Sequence, residues 1–176
     1  MKATPTALEN VWILEPTIHE DERGWLFESF TRSAFEELTG CSGEFVQDNH
    51  SHSKRGVLRG LHYQQTQPQS KLVRAVAGTV WDVAVDIDPG SPTFTTHVAV
   101  ELSAANRKQL FIGRQYAHGF CVLSEAADVL YKCGDSYKAG DGRGVIWNDE
   151  ELGIDWPVSD PIVSQQDADL PNLCSR

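Results

Sequence analysis

The chain of 176 residues contains 40% hydrophobic and 23% charged residues, a balance typical of a folded domain with a hydrophobic core, and we expect one domain over residues 1–176. Its formal net charge of −10 at pH 7 disfavours nucleic acid as a partner, because nucleic-acid-binding proteins carry basic surfaces. A small anionic ligand is compatible with this charge, since a pocket can be locally positive within a negative protein.

The first predicted elements are a short helix and a strand. Residues 33–38 are the helix candidate, with Ser33 as N-cap, Glu36 in the capping-box position and Gly40 ending the helix. Residues 56–64 alternate in polarity, which predicts a β-strand.

Residues 79–87 form the strongest strand pattern. Apolar side chains share one face and acidic side chains the other, namely Trp81, Val83, Val85 and Ile87 against Asp82, Asp86 and Asp88. The turn signal of residues 89–92 follows this strand.

The remaining elements are also short. We predict strands at residues 97–102, 109–112, 119–123 and 128–132, and a short helix within residues 157–170. Many short strands separated by turn signals predict an all-β barrel or sandwich, for which the double-sheet jelly roll is the natural candidate. Such folds bind ligands inside the barrel mouth.

The cysteines and the first residues indicate the compartment. Cys41, Cys121, Cys133 and Cys174 form no C-x-x-C pair, which favours reduced structural thiols over a disulfide framework. The N-terminus, MKATP (1–5), has no long apolar run, so we expect neither a signal peptide nor a membrane span. The cytoplasm is the expected location.

His62 is the strongest candidate for chemistry. A lone strand histidine is usually a packing or surface residue, but here Arg59 and Lys71 flank it in sequence. An imidazole between fixed cations suggests a base that acts on an anionic substrate. On a regular strand Arg59 points away from His62, and it reaches the same pocket only if Gly60 marks a bulge or a sharp twist.

Four further residues have both a structural and a functional interpretation. Lys71 is a solvated edge charge or the stabiliser of an oxyanion. Tyr131 is a core aromatic or a phenol that donates a proton. For His118, packing and ligand contact are evenly balanced. Asp167 is a surface acid unless the C-terminal segment folds back against His62 and orients its imidazole.

A metal site is a minor alternative. His50 and His52 have the i, i+2 spacing of metal ligands on a strand, and His118 offers a third ligand. Metal-binding cupins typically follow His-x-His with a Glu three or four residues later, where this chain has Arg55 and Gly56. We therefore predict that the protein binds no metal.

Taken together, the segments resemble the dTDP-4-dehydrorhamnose 3,5-epimerases, from about Ile13 to Leu170. The matching motifs, in chain order, are DERGWLFE (21–28), FVQDN (45–49), VLRGLHYQ (57–64), KLVR (71–74), AHGF (117–120), LYK (130–132), WND (147–149) and GIDWP (153–157). The resemblance implies a cupin-like jelly roll (a double-stranded β-helix with a few short peripheral helices). It also implies a homodimer, no metal or other cofactor, and a dTDP-linked 4-keto-6-deoxyglucose as substrate.

The resemblance also implies residue roles. His62 would be the base and Asp167 its partner, Lys71 would hold the C4 oxygen, Tyr131 would donate the proton, and Tyr137 would lie beside the sugar. The residues that would bind the nucleotide, diphosphate or sugar are Arg23, Phe27, Glu28, Gln47, Asn49, Arg59 and His118. The residue types fit independently, because removing a hydrogen at C3 or C5 of a 4-keto sugar leaves an enolate whose charge lies on the C4 oxygen.

The chain departs from the family pattern at the expected pocket entrance. Gly142 stands where many members have an acidic residue, and Gln166 where many have lysine. Residues 113–116 replace the usual Pro-rich lead into AHGF. A single-centre 3- or 5-epimerase is therefore the nearest alternative to a 3,5-epimerase of rhamnose biosynthesis. A sugar-binding module without turnover and a metal-dependent cupin enzyme are alternatives of other classes.

Overall fold

The computed structural model describes residues 1–175, and most of its regular structure is β-strand. Within these residues the strands are β1 (Lys2–Pro5), β2 (Val11–Glu15), β3 (Ile18–Asp21), β4 (Gly24–Phe27), β5 (Gln47–Lys54), β6 (Leu58–Gln64), β7 (Lys71–Ala77), β8 (Thr79–Asp86), β9 (His97–Ser103), β10 (Gln109–Ile112), β11 (Tyr116–Val122), β12 (Ala126–Cys133) and β13 (Gly142–Gly144). The helices are α1 (Arg32–Thr39), α2 (Gln165–Ala168) and a 3₁₀ turn (Leu173–Ser175).

The strands form two large antiparallel sheets. One has the order β1-β2-β10-β7-β12-β5 and the other β13-β6-β11-β8-β9, while β3 and β4 pair only with each other. From β5 to β12, the chain runs through the orders 5-12-7-10 and 6-11-8-9, which is the strand order of a double-sheet jelly roll. The predicted all-β, cupin-like jelly roll with few short helices is confirmed.

The core fills the space between the two sheets. The fully buried side chains there include Val73 of β7, Val80 of β8, Leu102 of β9 and Leu110 of β10. Burying one such side chain contributes about 1.5–3 kcal/mol to folding.

Strand β8 is buried on both faces, which explains its strong apolar character. Val83 and Val85 face away from the other sheet, where the C-terminal segment covers them with Trp156 and Leu173. Two of the three acidic residues predicted for this face are also interior, because Asp82 and Asp86 are 0% and 1% exposed, whereas Asp88 lies beyond the strand and is exposed. A carboxylate in an interior position needs a partner.

Helix α1 begins earlier than predicted, and its predicted cap is wrong. Its N-cap is Thr31, without a side-chain capping bond. Glu36 does not close a capping box with Ser33, because its carboxylate accepts from Arg32 Nε and from the Gly43 N–H, both at 3.0 Å. Gly40 does end the helix, with φ of 69°.

The C-terminal segment returns to β6 and ends near it in a short helix, as predicted. The Ile162 N–H donates to the Gly56 carbonyl at 2.8 Å, and the Leu58 N–H donates to the Ile162 carbonyl at 3.0 Å. Helix α2 follows, with Ser164 Oγ accepting from the Asp167 N–H at 3.1 Å. None of the helices described in residues 1–175 is long and apolar enough to cross a membrane.

Candidate active site

A cleft of about 890 Å³ opens between the ends of the two sheets. Most of the side chains predicted from the sequence line it, namely Gln47, Asn49, Arg59, His62, Lys71, His118, Tyr131, Tyr137 and Asp167. The cleft therefore brings together all four predicted catalytic residues.

His62 and Asp167 form a closely bonded pair in this cleft. His62 Nε2 lies 2.6 Å from Asp167 Oδ1, and the Asp167 side chain is 6% exposed. Burial alone raises the pKa of the Asp167 carboxyl, but hydrogen bonds from His62, Gly60 and Ser164 and the charge of His62 lower it further than burial raises it. The ionised carboxylate accepts the hydrogen bond of the imidazole and fixes the ring orientation.

A bulge at Gly60 brings Arg59 to the same cleft. Between β6 and β11, His62 pairs with His118 and Arg59 pairs with Phe120. Two residues of β6 therefore lie between these pairs, where β11 has only one. Gly60 has φ of 123°, and a Cβ there would lie 2.6 Å from Gly119 Cα, so no larger residue fits. The condition stated for Arg59 from the sequence is met.

Lys71 and Tyr131 lie on the six-stranded sheet, on the wall opposite His62. Lys71 begins β7, and Tyr131 is paired with Val73 of that strand across the β7–β12 ladder. Burial lowers the pKa of the Lys71 ammonium, while Cys133 and Asp82 partly offset this effect. Burial and Cys133 raise the pKa of the Tyr131 phenol against the opposing effect of Arg59, so the phenol keeps its proton at neutral pH.

Asp82 is a partner that the sequence interpretation did not find. His118 Nε2 lies 3.0 Å from both carboxylate oxygens of Asp82, and the His118 side chain is 8% exposed. His118 thus lines the cleft, and the Asp82 carboxylate holds its imidazole in place. The sequence did contain a signal for this partner, because Asp82 is an acidic residue in the middle of the most apolar strand.

Three comparisons with known proteins bear on this site. A family model described as dTDP-4-dehydrorhamnose 3,5-epimerase matches residues 5–175. The chain belongs to this epimerase family. It is 54% identical over 168 residues to the dTDP-4-dehydrorhamnose 3,5-epimerase of Pseudomonas aeruginosa, covering 95% of this chain and 93% of that protein.

Solved structures of similar proteins agree. A dTDP-6-deoxy-D-glucose-3,5-epimerase from Legionella pneumophila, in complex with dTDP-4-keto-L-rhamnose, is 47% identical, with a TM-score of 0.95 over 98% of this chain and 93% of that one. A 3'-monoepimerase from Streptomyces bikiniensis, in complex with dTDP-quinovose, is 33% identical, with a TM-score of 0.91 over 99% of this chain and 88% of that one. The family shares this fold across two epimerase specificities.

Three residues that the family resemblance assigns to ligand binding lie outside the cleft of this chain. Arg23 is on the exposed β3–β4 hairpin, where its Nε donates to Asp21 Oδ1 at 3.1 Å. Phe27 ends that hairpin and Glu28 follows it. The hairpin joins neither large sheet, and Arg74 and Arg107 lie over its Phe27 and Trp25 rings. A ligand role for Arg23, Phe27 and Glu28 stays a prediction.

The two histidines of the minor metal hypothesis face away from the cleft. On the outer face of the sheet, His50 Nε2 and His52 Nδ1 lie 3.1 Å and 3.2 Å from Asp128 Oδ1. The alternate residues Asn49 and Ser51 face the cleft. They cannot join His118 in one site. Among residues 1–175, no group of three or more His, Cys, Asp or Glu is arranged to hold a metal ion.

Two of the three departures from the family pattern lie at the cleft, whereas residues 113–116 do not line it. Gly142 and Gln166 both line it, as does Arg143, which the sequence interpretation did not single out. The Arg143 guanidinium donates to the Gly140 and Gly142 carbonyls at 3.0 Å and 2.8 Å. Arg143 therefore adds a cation to the edge of the cleft at which Gly142 and Gln166 lie.

Proposed function

We propose that this protein is a 3,5-epimerase of rhamnose biosynthesis. It would convert dTDP-4-dehydro-6-deoxy-D-glucose to dTDP-4-dehydro-L-rhamnose. The observation that carries the proposal is the placement of the His62–Asp167 pair on one wall of the cleft and Tyr131 with Lys71 on the other. Inversion of a carbon needs a base and an acid on opposite faces of the ring.

The first step is removal of a proton next to the ketone. Because Asp167 is ionised, His62 Nε2 carries the hydrogen of their bond and Nδ1 has the lone pair that takes the proton from C3 or C5. The C–H electrons form the enolate, whose charge collects on the C4 oxygen. The Lys71 ammonium stabilises this oxygen, and one such donor is worth roughly 3–4 kcal/mol.

The second step returns a proton to the opposite face. The neutral Tyr131 phenol donates its hydrogen to the carbon, the ketone re-forms and the centre is inverted. His62 then holds one proton too many and Tyr131 one too few, and exchange with water restores both. Each inverted carbon therefore carries hydrogen that came from solvent, and the substrate's own ketone serves as the electron sink.

The cleft also suits the diphosphate of the substrate. Arg59, Lys71 and Arg143 line it, although the whole chain has a formal net charge of −10. Cations gathered in a cleft raise the local concentration of an anionic ligand. Arg59 Nε donates to Ser53 Oγ at 3.0 Å, and this hydrogen bond holds the guanidinium in position.

The test is solvent deuterium incorporation into dTDP-4-keto-6-deoxyglucose. Label at both C3 and C5 supports the proposal, and label at neither carbon rejects it. Label at one carbon selects the alternative, a 3- or 5-epimerase. That alternative is motivated by Gly142 and Gln166 at the cleft edge. The 33% identity to a 3'-monoepimerase is lower than the 54% identity to a 3,5-epimerase, which favours the main proposal.

We further infer that the protein acts as a homodimer in which each hairpin completes the cleft of the other copy. The β3–β4 hairpin exposes Trp25 and Leu26 at 55% and 72%, which is costly for apolar side chains in water. A second copy that covers them would also bring Arg23, Phe27 and Glu28 to a cleft that they do not reach in their own chain.

Mixed dimers test this arrangement. An Arg23→Ala, Glu28→Ala variant and a His62→Ala variant, each inactive alone, should recover about one quarter of the wild-type activity per site when mixed and re-equilibrated, because half of the dimers then contain one intact site. If the hairpin served its own cleft, every site in the mixture would stay defective. Light scattering that finds only monomers would also reject the inference.

A further inference from the structure

The segment 134–141, here called the rim segment, joins β12 to β13 and carries Tyr137 at the mouth of the cleft. Tyr137 is 65% exposed, so its own packing does little to hold its ring in place. Its backbone is held instead. The Tyr137 N–H donates to Gln47 Oε1 at 2.8 Å, and the next N–H, that of Lys138, donates to Gln64 Oε1 at 2.9 Å.

A buried carboxylate ties the rim segment to the turn between β6 and β7. Asp141 is 5% exposed, and its oxygens accept from the Thr66 N–H at 3.0 Å, the Thr66 hydroxyl at 2.7 Å and the Gln67 N–H at 2.9 Å. The side-chain hydrogen bond from Thr66, more than any other contact, lowers the pKa of the Asp141 carboxyl. Hydrogen bonds to a charged group are among the stronger ones in proteins.

The other end of the rim segment is tied in the same way. Gln67 Nε2 donates to Asp135 Oδ1 at 2.5 Å, and Gln69 Nε2 donates to the Asp135 carbonyl at 2.6 Å. Gln64 also donates from Nε2 to the Gln67 carbonyl at 2.8 Å, so it joins the turn to the rim segment. Gln64, at 6% exposure, is satisfied on both sides of its amide.

We propose that Gln64 and Asp141 are positioning residues that set Tyr137 in place for the substrate before it binds. The proposal rests on the proposed function and on the place beside the substrate's sugar that the family resemblance implies for Tyr137, which lines the mouth of the cleft. An aromatic ring on a tethered loop loses less conformational entropy on binding than one on a free loop. Gln64 and Asp141 therefore act on affinity, whereas the proton transfers at His62 and Tyr131 are untouched.

A double-mutant cycle tests the proposal by titration calorimetry with dTDP-quinovose, which carries a hexose for Tyr137 to contact but has no C4 ketone and so is not turned over. Gln64→Leu and Tyr137→Ala should each weaken dTDP-quinovose binding by about tenfold, the size of one aromatic contact. The double variant should also lose only about tenfold, because a positioning residue has nothing left to position once the ring is gone. Losses that multiply in the double variant, or unchanged binding by Gln64→Leu, would overturn the proposal.

Two further variants keep the result unambiguous. Gln109→Leu removes another buried glutamine, whose Nε2 donates to the Ser29 carbonyl outside the cleft, and it should leave dTDP-quinovose binding unchanged. A loss as large as that of Gln64→Leu would overturn the proposal. If Gln64→Leu does not fold, Asp141→Asn takes its place in the cycle, with the same non-multiplying loss expected.

The binding experiment is also independent of turnover. If the variants show the expected coupling in binding but the wild-type protein exchanges no substrate hydrogen, the epimerase proposal is rejected and the positioning roles stand. Substrate turnover without coupling between Gln64 and Tyr137 would contradict the positioning roles and leave the epimerase proposal standing.

Discussion

His62 and His118 lie directly opposite each other on β6 and β11, and each imidazole is held by its own carboxylate. The carboxylate of His118 is Asp82, on the neighbouring strand β8. The carboxylate of His62 is Asp167, which is 105 residues away in sequence and arrives with the C-terminal helix. The two histidines therefore share a wall of the cleft but depend on different parts of the chain.

Removing the base should stop all exchange. We expect His62→Ala to lose solvent deuterium incorporation at both C3 and C5 by about 10²–10⁴-fold, because the same imidazole serves both carbons. Mass spectrometry of the recovered sugar nucleotide measures this. The control is His97→Ala on β9, outside the cleft, which should exchange at the wild-type rate. Exchange that survives at one carbon would mean that a second base exists.

Removing the phenol should separate exchange from inversion. In Tyr131→Phe, His62 can still take a proton and return it to the same face, so deuterium enters while the configuration is kept. We expect epimer formation to fall by about 10²–10⁴-fold and exchange to fall much less. Tyr116→Phe is the matched control, because its hydroxyl donates to the Glu9 carbonyl at 2.7 Å, outside the cleft. Equal losses of exchange and inversion in Tyr131→Phe would argue against the donor role.

Removing the ammonium should slow the reaction without harming the fold. Lys71→Met keeps the length of the side chain but leaves the enolate oxygen without its cation, so we expect kcat to fall by about 10²–10³-fold. Thermal stability should stay the same or rise, because burial already lowers the pKa of Lys71 and the charge is costly to bury. Lys108→Met, at an exposed ion pair with Glu15, is the control for kcat. A kcat near the wild-type value would remove Lys71 from the mechanism.

The His62–Asp167 pair should make stability depend on pH in a known direction. The folded-state pKa of Asp167 lies below its unfolded value of about 3.9, so its ionisation adds stability that is fully present above about pH 5. This contribution is lost as the pH falls through the folded pKa. Urea unfolding should therefore show Asp167→Asn clearly less stable than wild type at pH 7 and much closer to it at pH 3. A difference that grows on acidification would contradict the assigned direction.

The sequence was most informative where the hydrophobic pattern was strong. The predicted strand at residues 109–112 matches β10 residue for residue, and the prediction for 79–87 matches β8 to within one residue. Strand β5 was missed, because its sequence QDNHSHSK has no apolar residue. One face of β5 lines a polar cleft and the other meets solvent, so the alternation of its environment leaves no hydrophobic signal.

The sequence by itself determined the jelly roll and the residue types of the site, because strand periodicity and motifs are local properties of the chain. Only the tertiary structure decided that Arg59 reaches the cleft through the bulge at Gly60, that Asp167 returns to His62, and that Asp82 lies behind His118. It also placed the hairpin of Arg23 outside the cleft of its own chain. These outcomes depend on contacts between segments that are far apart in the sequence. The packing of the sheets determines such contacts, and a local sequence pattern does not predict them.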